Sequence, residues 1–368
     1  MAFQVSPKIT TYPDLQAFLD QYKLGADDLL VTNEFVITPQ MDVTTLPCDV
    51  LYIEKYGTGE PTDEMIDALI GTLAGKNYKR IIGIGGGSVL DVSKLLIFGG
   101  DVTWASIAET EAGHPRKSYL ILVPTTCGTG SEVTCIAVAN LAKEKTKKGL
   151  AYPGLFADEA VLIPSLLATL PYEVFAASSI DALIHAMESY VSPKANHFSR
   201  AIGRKAIELI LHGYIAMVDS GKLEQPKDMK DFAEASTMGG IAFANAGCAA
   251  VHALSFPLGG IYKVPHGKSN WMMFPQVFAQ YQKKGADLSP LEDVLMDIFG
   301  CPREAVWETM FKLLDQILPC PPLRELGITE AECASMAKSV IEVQQRLLVN
   351  NPVPFTEEDV KEIYIRSL

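Results

Sequence analysis

RIIGIGGGSVLDVSK, residues 80–94, is the stretch that decides the fold. An apolar run leads into three consecutive glycines, Gly85 to Gly87, and then into a pattern typical of a helix that begins at or near Ser88. Glycine lets the main chain approach an anion closely, and a helix N-terminus offers unpaired N–H groups. The stretch therefore predicts a strand, a phosphate-binding turn and a helix, with Asp91 as a capping residue.

The neighbouring residues repeat this alternation of strands and helices. Short β-branched runs lie at 28–32 and 49–54, a helical pattern follows at 61–76, and YLILVPTT, residues 119–126, supplies another buried strand. Strands that alternate with helical patterns are typical of a parallel α/β sheet. We therefore predict a parallel-sheet domain in the N-terminal half.

From about Pro171 onward the pattern is helical, because long amphipathic stretches follow one another with no convincing strand between them. These stretches are residues 172–191, 198–219, 228–246 and 333–349. A chain of this length exceeds what one hydrophobic core usually supports. We predict an α/β domain over 1–170 and an all-helical domain over 171–368.

A second glycine-containing loop lies in PTTCGTGSEVT, residues 124–134. It follows a predicted strand and offers the hydroxyl groups of Thr125, Thr126, Thr129 and Ser131 to phosphate or ribose oxygens. Two such loops in one sheet favour a long ligand, a dinucleotide. The arrangement is not the standard Rossmann one, because position 88 is serine and at least two strands precede the glycines.

Asn33 and Glu34 bear on the choice between NAD and NADP. They follow the first predicted strand, at the place where an adenosine ribose would bind. Because asparagine carries no charge to repel a 2′-phosphate, these residues do not decide between NAD and NADP. We expect NAD.

Four residues form a candidate metal site: Asp181, His185, His252 and His266. Asp181 and His185 are four positions apart in IDALIHAMESYVS and so share one face of a helix. His252 and His266 lie fourteen residues apart across a Gly-Pro turn region. Three imidazoles and a carboxylate suit Fe(II), Zn or Mn, and the ligands alone do not separate iron from zinc. The alternative is that these histidines are hydrogen-bonded core residues.

The remaining histidines, His114, His197 and His212, have no carboxylate or histidine at a ligand spacing, and we interpret them as structural or surface residues. Glu188 lies one helical turn from His185. It is either an acceptor for an imidazole N–H or an exposed acid.

The amino-acid composition of the chain argues against several classes of protein. The chain has 368 residues, a formal net charge of −13 and no long run of lysine or arginine, which argues against a nucleic-acid or anionic-membrane surface. No apolar stretch approaches the roughly eighteen residues that span a bilayer, and the N-terminus lacks a signal pattern, so we expect a cytoplasmic protein. Seven cysteines without a C-x-x-C pair predict neither a disulfide framework nor a cysteine-zinc site.

Four blocks resemble the signature motifs of the iron-dependent (group III) alcohol dehydrogenases, in order and over nearly the whole chain: GGGSVLDVSK, PTTCGTGSEVT, DALIHAMESYVS and AVHALSFPLGGIYKVPHGKSN. Within that family, TNEF, EKYGTGEPTDEMI, VPTTCGTGSEVT and QQRLLVNN resemble the members that act on 4-hydroxybutyrate. The resemblance implies a dehydroquinate synthase-like fold, with an α/β NAD-binding domain, a helical metal-binding domain and an active site in the cleft. It also implies a homodimer, for which we expect the N-terminal strand region to be the edge.

The resemblance further implies roles for individual residues. The four candidate ligands would bind Fe(II), or zinc, and Lys148 would reach the nicotinamide side. The dinucleotide would be held by Gly86, Gly87, Ser88, Asp91, Thr125, Thr126 and Thr129. Many family members carry another histidine four residues after the equivalent of His252, a candidate proton relay. Here that position is Phe256, so no catalytic residue is assigned beyond the metal centre, and water, a ribose hydroxyl and Thr129 stay open as proton routes.

We therefore expect reversible hydride transfer between NAD(H) and a small primary alcohol or aldehyde. The resemblance favours 4-hydroxybutyrate and succinate semialdehyde, whose carboxylate needs a cationic anchor. The candidate pocket residues are Phe243, Phe256, Lys263 and Arg346. The alternatives are another iron-type alcohol dehydrogenase, a glycerol-dehydrogenase-like polyol oxidation, and a catalytically silent NAD- and metal-binding redox sensor.

Overall fold

A computed structural model describes residues 3–110, 114–141, 143 and 146–368. The chain divides into two compact units. The sheet unit comprises Val5–Leu170 and Asp228–Ala233. The helical unit comprises residues 3–4, Pro171–Lys227 and Glu234–Leu368.

The sheet unit is built on a parallel sheet with the strand order β1-β8-β5-β4-β2-β3, and β6 and β7 form a separate antiparallel pair. The strands of the described residues are β1 (Lys8–Thr11), β2 (Asp28–Thr32), β3 (Asp49–Tyr52), β4 (Arg80–Gly85), β5 (Tyr119–Pro124), β6 (Ile136–Leu141), β7 (Thr146–Ala151) and β8 (Glu159–Leu162). The four predicted strands are β2 to β5, so the predicted parallel α/β architecture is confirmed. The other four strands were not predicted. β1, for example, is a short, mostly exposed edge strand without a continuous apolar run.

Register places the candidate nucleotide residues at one edge of this sheet. Thr32 in β2 is paired with Ile84 in β4 on one side and with Tyr52 in β3 on the other. The carboxyl ends of the three strands therefore lie next to one another. The helices of the unit are α1 (Leu15–Tyr22), α2 (Glu34–Ile37), α3 (Asp63–Gly71), α4 (Gly87–Leu96), α5 (Trp104–Glu109) and α6 (Pro164–Leu167).

From Pro171 onward the regular elements of the structure are helical. They include α7 (Tyr172–Val191), α8 (His197–Asp219), α9 (Lys230–Ala246), α10 (Ala250–Tyr262), α11 (His266–Lys283), α12 (Ser289–Phe299), α13 (Val306–Ile317), α14 (Glu330–Val343), α15 (Gln345–Leu348) and α16 (Glu357–Arg366). No single helix of the described residues is long and apolar enough to cross a membrane, although α9 and α10, which meet at a bend of 108°, pass that test together. The seven cysteines are free thiols in this structure.

The Gly-Pro turn that we expected between His252 and His266 is wrong. Helix α10 continues through Pro257, and the chain turns only at Lys263, which adopts the left-handed conformation with φ 58°. Proline removes one helical hydrogen bond, but α10 is buried from Ala250 to Ser255 and again at Leu258. Burial of an apolar helix stabilises it more than this one bond, so the helix persists.

Candidate functional site

Three helices bring the four candidate metal ligands together. Asp181 and His185 share one face of α7, His252 lies in the first turn of α10, and His266 is the first residue of α11. One ligand atom from each residue lies within 4.8 Å of the others. Asp181 Oδ1 is 3.6 Å from His252 Nε2, and Asp181 Oδ2 is 3.9 Å from His266 Nε2. His114, His197 and His212 are not part of this cluster.

The cluster is buried and its charges are coupled. Asp181, His185 and His252 are each at most 5% exposed. Burial alone would raise the pKa of Asp181, but the three surrounding imidazoles hold that pKa well below its usual range. Burial would likewise lower the pKa of His252, yet the neighbouring carboxylates of Asp181 and Glu188 raise it to about 9. An anionic carboxylate thus lies among three imidazoles in a buried cluster.

The residues present fit a divalent cation. His252 Nε2 is buried and has no hydrogen-bond partner among the described residues. A buried polar atom without a partner costs free energy, and a neutral imidazole nitrogen in this position is a good ligand for a first-row metal. Three imidazoles, one of which has an unpartnered nitrogen, and one carboxylate therefore match a site for iron or zinc.

Glu188 orients one of the imidazoles. It is fully buried, it accepts hydrogen bonds from the backbone N–H groups of Ala249 at 3.0 Å and Val251 at 2.6 Å, and it lies 2.6 Å from His252 Nδ1. The interpretation as an exposed acid is wrong, and the imidazole that it contacts belongs to α10 rather than to the adjacent turn of α7. A proton on Nδ1 leaves Nε2 free for a metal.

Glu188→Gln is expected to weaken metal binding about tenfold to a hundredfold, since the carboxylate that orients a ligating imidazole contributes that much to affinity. Competition with a chelator, followed by metal analysis, measures the change. Glu173→Gln, an exposed acid in the first turn of the same helix, is the matched control. Equal affinities in the two variants would contradict the assigned role.

Two further residues at the cluster were not predicted. Asn270 Nδ2 donates to Asp181 Oδ1 at 2.6 Å and lies 3.2 Å from His266 Nε2. Its position one turn after His266 is a signal that could have identified it. Gly267 has no such signal: a Cβ atom there would lie 2.2 Å from the carbonyl oxygen of Ala177, so only glycine allows α11 to approach α7 this closely.

The glycine loop of the sheet unit leads directly into α4. This helix begins at Gly87, and no side chain of the described residues caps its N-terminus at Gly86. The predicted capping role of Asp91 is wrong, because Asp91 lies more than one turn inside the helix. Its oxygens instead accept from Ser131 Oγ at 2.5 Å and from the backbone N–H of Val138 at 2.9 Å.

The two predicted loops contact each other. A Cβ atom at Gly87 would lie 2.7 Å from Thr129 Cγ2, and one at Gly86 would lie 3.3 Å from Thr126 Cγ2. The structure therefore places Gly86 against Thr126 and Gly87 against Thr129, at the start of a ten-residue helix whose N-cap is glycine. Glycines without side chains and free N–H groups fit the pyrophosphate of a dinucleotide.

Lys94 links α4 to the second loop and to β6, and this role was not predicted. It is fully buried, and its ammonium group donates to Ser131 Oγ and to the carbonyl oxygen of Ile136, both at 2.6 Å. Burial lowers its pKa, while the charges of Asp91 and Glu132 oppose that change. A lysine in a helical pattern normally indicates an exposed face, so no local pattern singles out Lys94.

The other predicted cofactor residues lie at different places in the sheet unit. Thr125 is buried, and its backbone N–H donates to the carbonyl oxygen of Gly85 at 3.0 Å. Asn33 directly follows β2, and its amide donates to Glu54 Oε2 at 2.8 Å. Lys148 lies in β7 with an exposed side chain.

Two of the four predicted pocket residues contact metal ligands. The ring of Phe243 stacks on that of His185, with the ring centroids 4.3 Å apart. The ring centroids of Phe256 and His266 are 6.5 Å apart. Lys263 is exposed, and its ammonium group donates to the carbonyl oxygen of Gly260 at 2.8 Å.

Arg346, the fourth predicted pocket residue, is exposed in α15. Its guanidinium forms no hydrogen bond or ion pair with the described residues. The segment around it is tied to the start of α10, because Asn350 Nδ2 donates to the carbonyl oxygen of Cys248 at 2.7 Å. Burial and the charge of Glu188 raise the pKa of the Cys248 thiol, and the Arg346 charge opposes that rise. The Arg346 charge therefore acts at Cys248, whose sulfur lies within 4.8 Å of ligand atoms of Glu188 and His252.

Comparisons with known proteins agree with this geometry. Residues 11–164 match the family model for iron-containing alcohol dehydrogenase, and residues 175–368 match the model for the C-terminal part of the Fe-containing alcohol dehydrogenase family. The 4-hydroxybutyrate dehydrogenase of Clostridium kluyveri is 43% identical over 98% of both chains. The long-chain-alcohol dehydrogenase 1 of Geobacillus thermodenitrificans is 36% identical over 93% of this chain and 90% of its own.

A solved structure supports the same relationship. The iron-containing alcohol dehydrogenase of Thermococcus thioreducens superimposes with a TM-score of 0.81 at 26% identity, covering 100% of this chain and 99% of that one. The match extends over both units, including the residues that form the metal cluster and the glycine loops. The chain belongs to the iron-containing alcohol dehydrogenase family.

Proposed function

We propose that the protein is an NAD-dependent alcohol dehydrogenase that interconverts 4-hydroxybutyrate and succinate semialdehyde. The observation that carries this proposal is the buried cluster with its orphaned His252 Nε2. It lies in a chain 43% identical, over nearly its whole length, to a 4-hydroxybutyrate dehydrogenase. The cluster supports a metal-dependent reaction, and the relative supports the choice of substrate.

The metal would be held by Asp181, His185, His252 and His266, and we propose Fe(II), with zinc as the alternative. When bound, such a cation acts as a Lewis acid that polarises a carbonyl or alcohol oxygen. Glu188 and Asn270 keep two of the ligands in position. Phe243 and Phe256 supply apolar surface beside the ligands and limit the access of water.

The sheet unit would bind NAD, and we propose residues 1–170 as the NAD-binding domain and 171–368 as the metal-binding domain. The pyrophosphate would bind the backbone at Gly86, Gly87 and Ser88, with Thr125, Thr126 and Thr129 beside it. Asp91 and Lys94 act indirectly, by fixing the second loop through Ser131. Lys148 stays a proposed contact on the nicotinamide side.

The substrate carboxylate would be anchored by Arg346, because the ammonium group of Lys263 already donates to its own helix end. A charge-assisted hydrogen bond contributes about 1.5–3 kcal/mol. Arg346→Ala is therefore expected to raise KM for succinate semialdehyde roughly tenfold to a hundredfold, while Lys263→Ala has little effect. Butanal, which lacks the carboxylate, is the matched control substrate, and its KM should not change. If neither variant alters KM for succinate semialdehyde, the anchor is another residue.

The direct test of the function is the oxidation of NADH, followed by absorbance, with succinate semialdehyde and a panel of uncharged aldehydes. Rapid turnover of succinate semialdehyde supports the proposal. A preference for uncharged aldehydes would indicate another iron-type alcohol dehydrogenase, and a preference for polyols a glycerol-dehydrogenase-like enzyme. Binding of NADH and metal with no turnover of any substrate would indicate a redox sensor. Anaerobic purification with metal analysis identifies the ion.

We also propose that the protein is a cytoplasmic homodimer. The position of β1 at one edge of the parallel sheet, with Ile9 exposed, supports the N-terminal strand region as a contact surface. Light scattering after size-exclusion chromatography tests the assembly, and a monomer at micromolar concentration would contradict it.

A further inference from the structure

An acid that the sequence analysis did not assign lies where β2, β3 and β4 end. Glu54 follows β3, yet both of its carboxylate oxygens contact residues that follow β2. Oε2 accepts from Asn33 Nδ2 at 2.8 Å, and Oε1 accepts from the backbone N–H of Glu34 at 2.6 Å. The carboxylate is therefore held in a fixed position above the end of β2.

The sheet register relates this carboxylate to the glycine loop. Thr32, just before Asn33, is paired with Ile84, just before the loop. Neighbouring strands in a sheet lie about 4.8 Å apart, so Asn33 is roughly one strand spacing from the loop and Glu54 one to two spacings. In dinucleotide-binding sheets the pyrophosphate lies at a helix N-terminus, and an acid after the adjacent strand binds the adenosine ribose. Here the helix is α4 and the adjacent strand is β2. Glu54 itself follows β3, but its carboxylate is bonded to the residues that follow β2.

We propose that Glu54 accepts a hydrogen bond from the 2′-hydroxyl of the adenosine ribose and thereby selects NAD over NADP. This inference rests on the proposed function, because it requires a dinucleotide on the glycine loop. The 2′-phosphate of NADP would bring a second anion into contact with a carboxylate that two hydrogen bonds hold in place. Asn33 acts through Glu54 as a positioning residue and not as the group that reads the ribose.

Charges around Glu54 agree with this assignment. Glu34 adds a second carboxylate next to it, and burial together with both acids raises the pKa of Tyr52. Lys55 is the cation of this segment, and its ammonium group lies 4.5 Å from the centre of the Tyr52 ring. Because Glu34 and Glu54 are opposed only by Lys55, these three residues carry a net negative charge at the end of β3. This charge disfavours the binding of a phosphate there.

The experiment separates recognition of the 2′-position from catalysis. Isothermal titration calorimetry compares the affinity of the intact protein for NADH with that for NADPH, and for 5′-AMP with that for adenosine 2′,5′-bisphosphate. Replacing the carboxylate by an uncharged amide removes its repulsion of the 2′-phosphate. Glu54→Gln should therefore reduce the preference for the ligand without the 2′-phosphate roughly tenfold to a hundredfold.

Glu64→Gln, an exposed acid in the first turn of α3, removes the same charge at another position and should leave the preference unchanged. Asn33→Ala, which frees the carboxylate on one side, should reduce the preference less than Glu54→Gln and serves as a second variant if Glu54→Gln does not fold. Wild-type preference in both Glu54→Gln and Asn33→Ala would overturn the inference. A wild-type protein that binds neither dinucleotide would overturn it together with the proposed cofactor. Altered preference in a protein without turnover would support it and contradict only the proposed reaction.

Discussion

His266→Ala is expected to remove bound metal and turnover together. His266 supplies one of four ligands, and its side chain is the most exposed of the three histidines, at 29% against 5% for His252. The substitution should therefore leave the fold intact. Lewis-acid stabilisation amounts to several kcal/mol and each 1.4 kcal/mol is tenfold in rate, so turnover should fall at least about a thousandfold.

Metal analysis of the anaerobically purified variant, paired with initial rates of NADH oxidation, measures both effects. His212→Ala replaces an exposed histidine of α8 outside the cluster and should retain metal and rate. A His266→Ala protein that turns over at the wild-type rate without metal would rule out the proposed metal-dependent mechanism.

Gly267→Ala is expected to destabilise the helical unit by about 3 kcal/mol, at the upper end for an overpacked core. The added Cβ would lie 2.2 Å from the carbonyl oxygen of Ala177 and 3.4 Å from Cβ of Asp181. Backbone atoms cannot rotate away as a side chain can, so α11 must move away from α7. That movement separates His266 from Asp181, and metal affinity should fall as well.

Thermal unfolding measures the first effect, where a loss of this size corresponds to a midpoint lower by roughly 6–12 °C. Chelator competition measures the second. Gly71→Ala is the control, because Gly71 ends α3 with open space around it and no positive φ. A midpoint for Gly267→Ala equal to that of Gly71→Ala would show that the two helices adapt to the methyl group.

The parts of the fold that could be predicted depend on local patterns. The strands β2 to β5 are continuous apolar runs, and Asp181 and His185 share a helical face because their spacing is one turn. The convergence of these two residues with His252 and His266 could be predicted only as a hypothesis, since it depends on how three helices pack. The family resemblance supplied that arrangement, and the geometry is consistent with it.

The residues that sequence reasoning missed act across long separations. Glu188 caps the start of α10 and orients His252, yet its spacing indicated His185 as the partner. Glu54, which follows β3, contacts the segment after β2 because these two strands are neighbours in the sheet, an order that the sequence does not reveal. Asp91 was assigned to a cap because the helix start was placed one residue too late, and its partners are in the second loop.

The chain segments that make up the two units have a consequence for gene recombination. Residues Asp228–Ala233 belong to the sheet unit although they follow α8. Near the N-terminus, Gln4 belongs to the helical unit and exchanges two hydrogen bonds with Asn245, at 2.7 and 2.9 Å. A single crossover after the codon for Leu170 would therefore exchange neither unit whole. Recombination between related genes at that point would combine residues up to Leu170 from one parent with Asp228–Ala233, which belong to the same unit, from the other parent. We therefore expect the genes of this family to exchange the two units together and not singly.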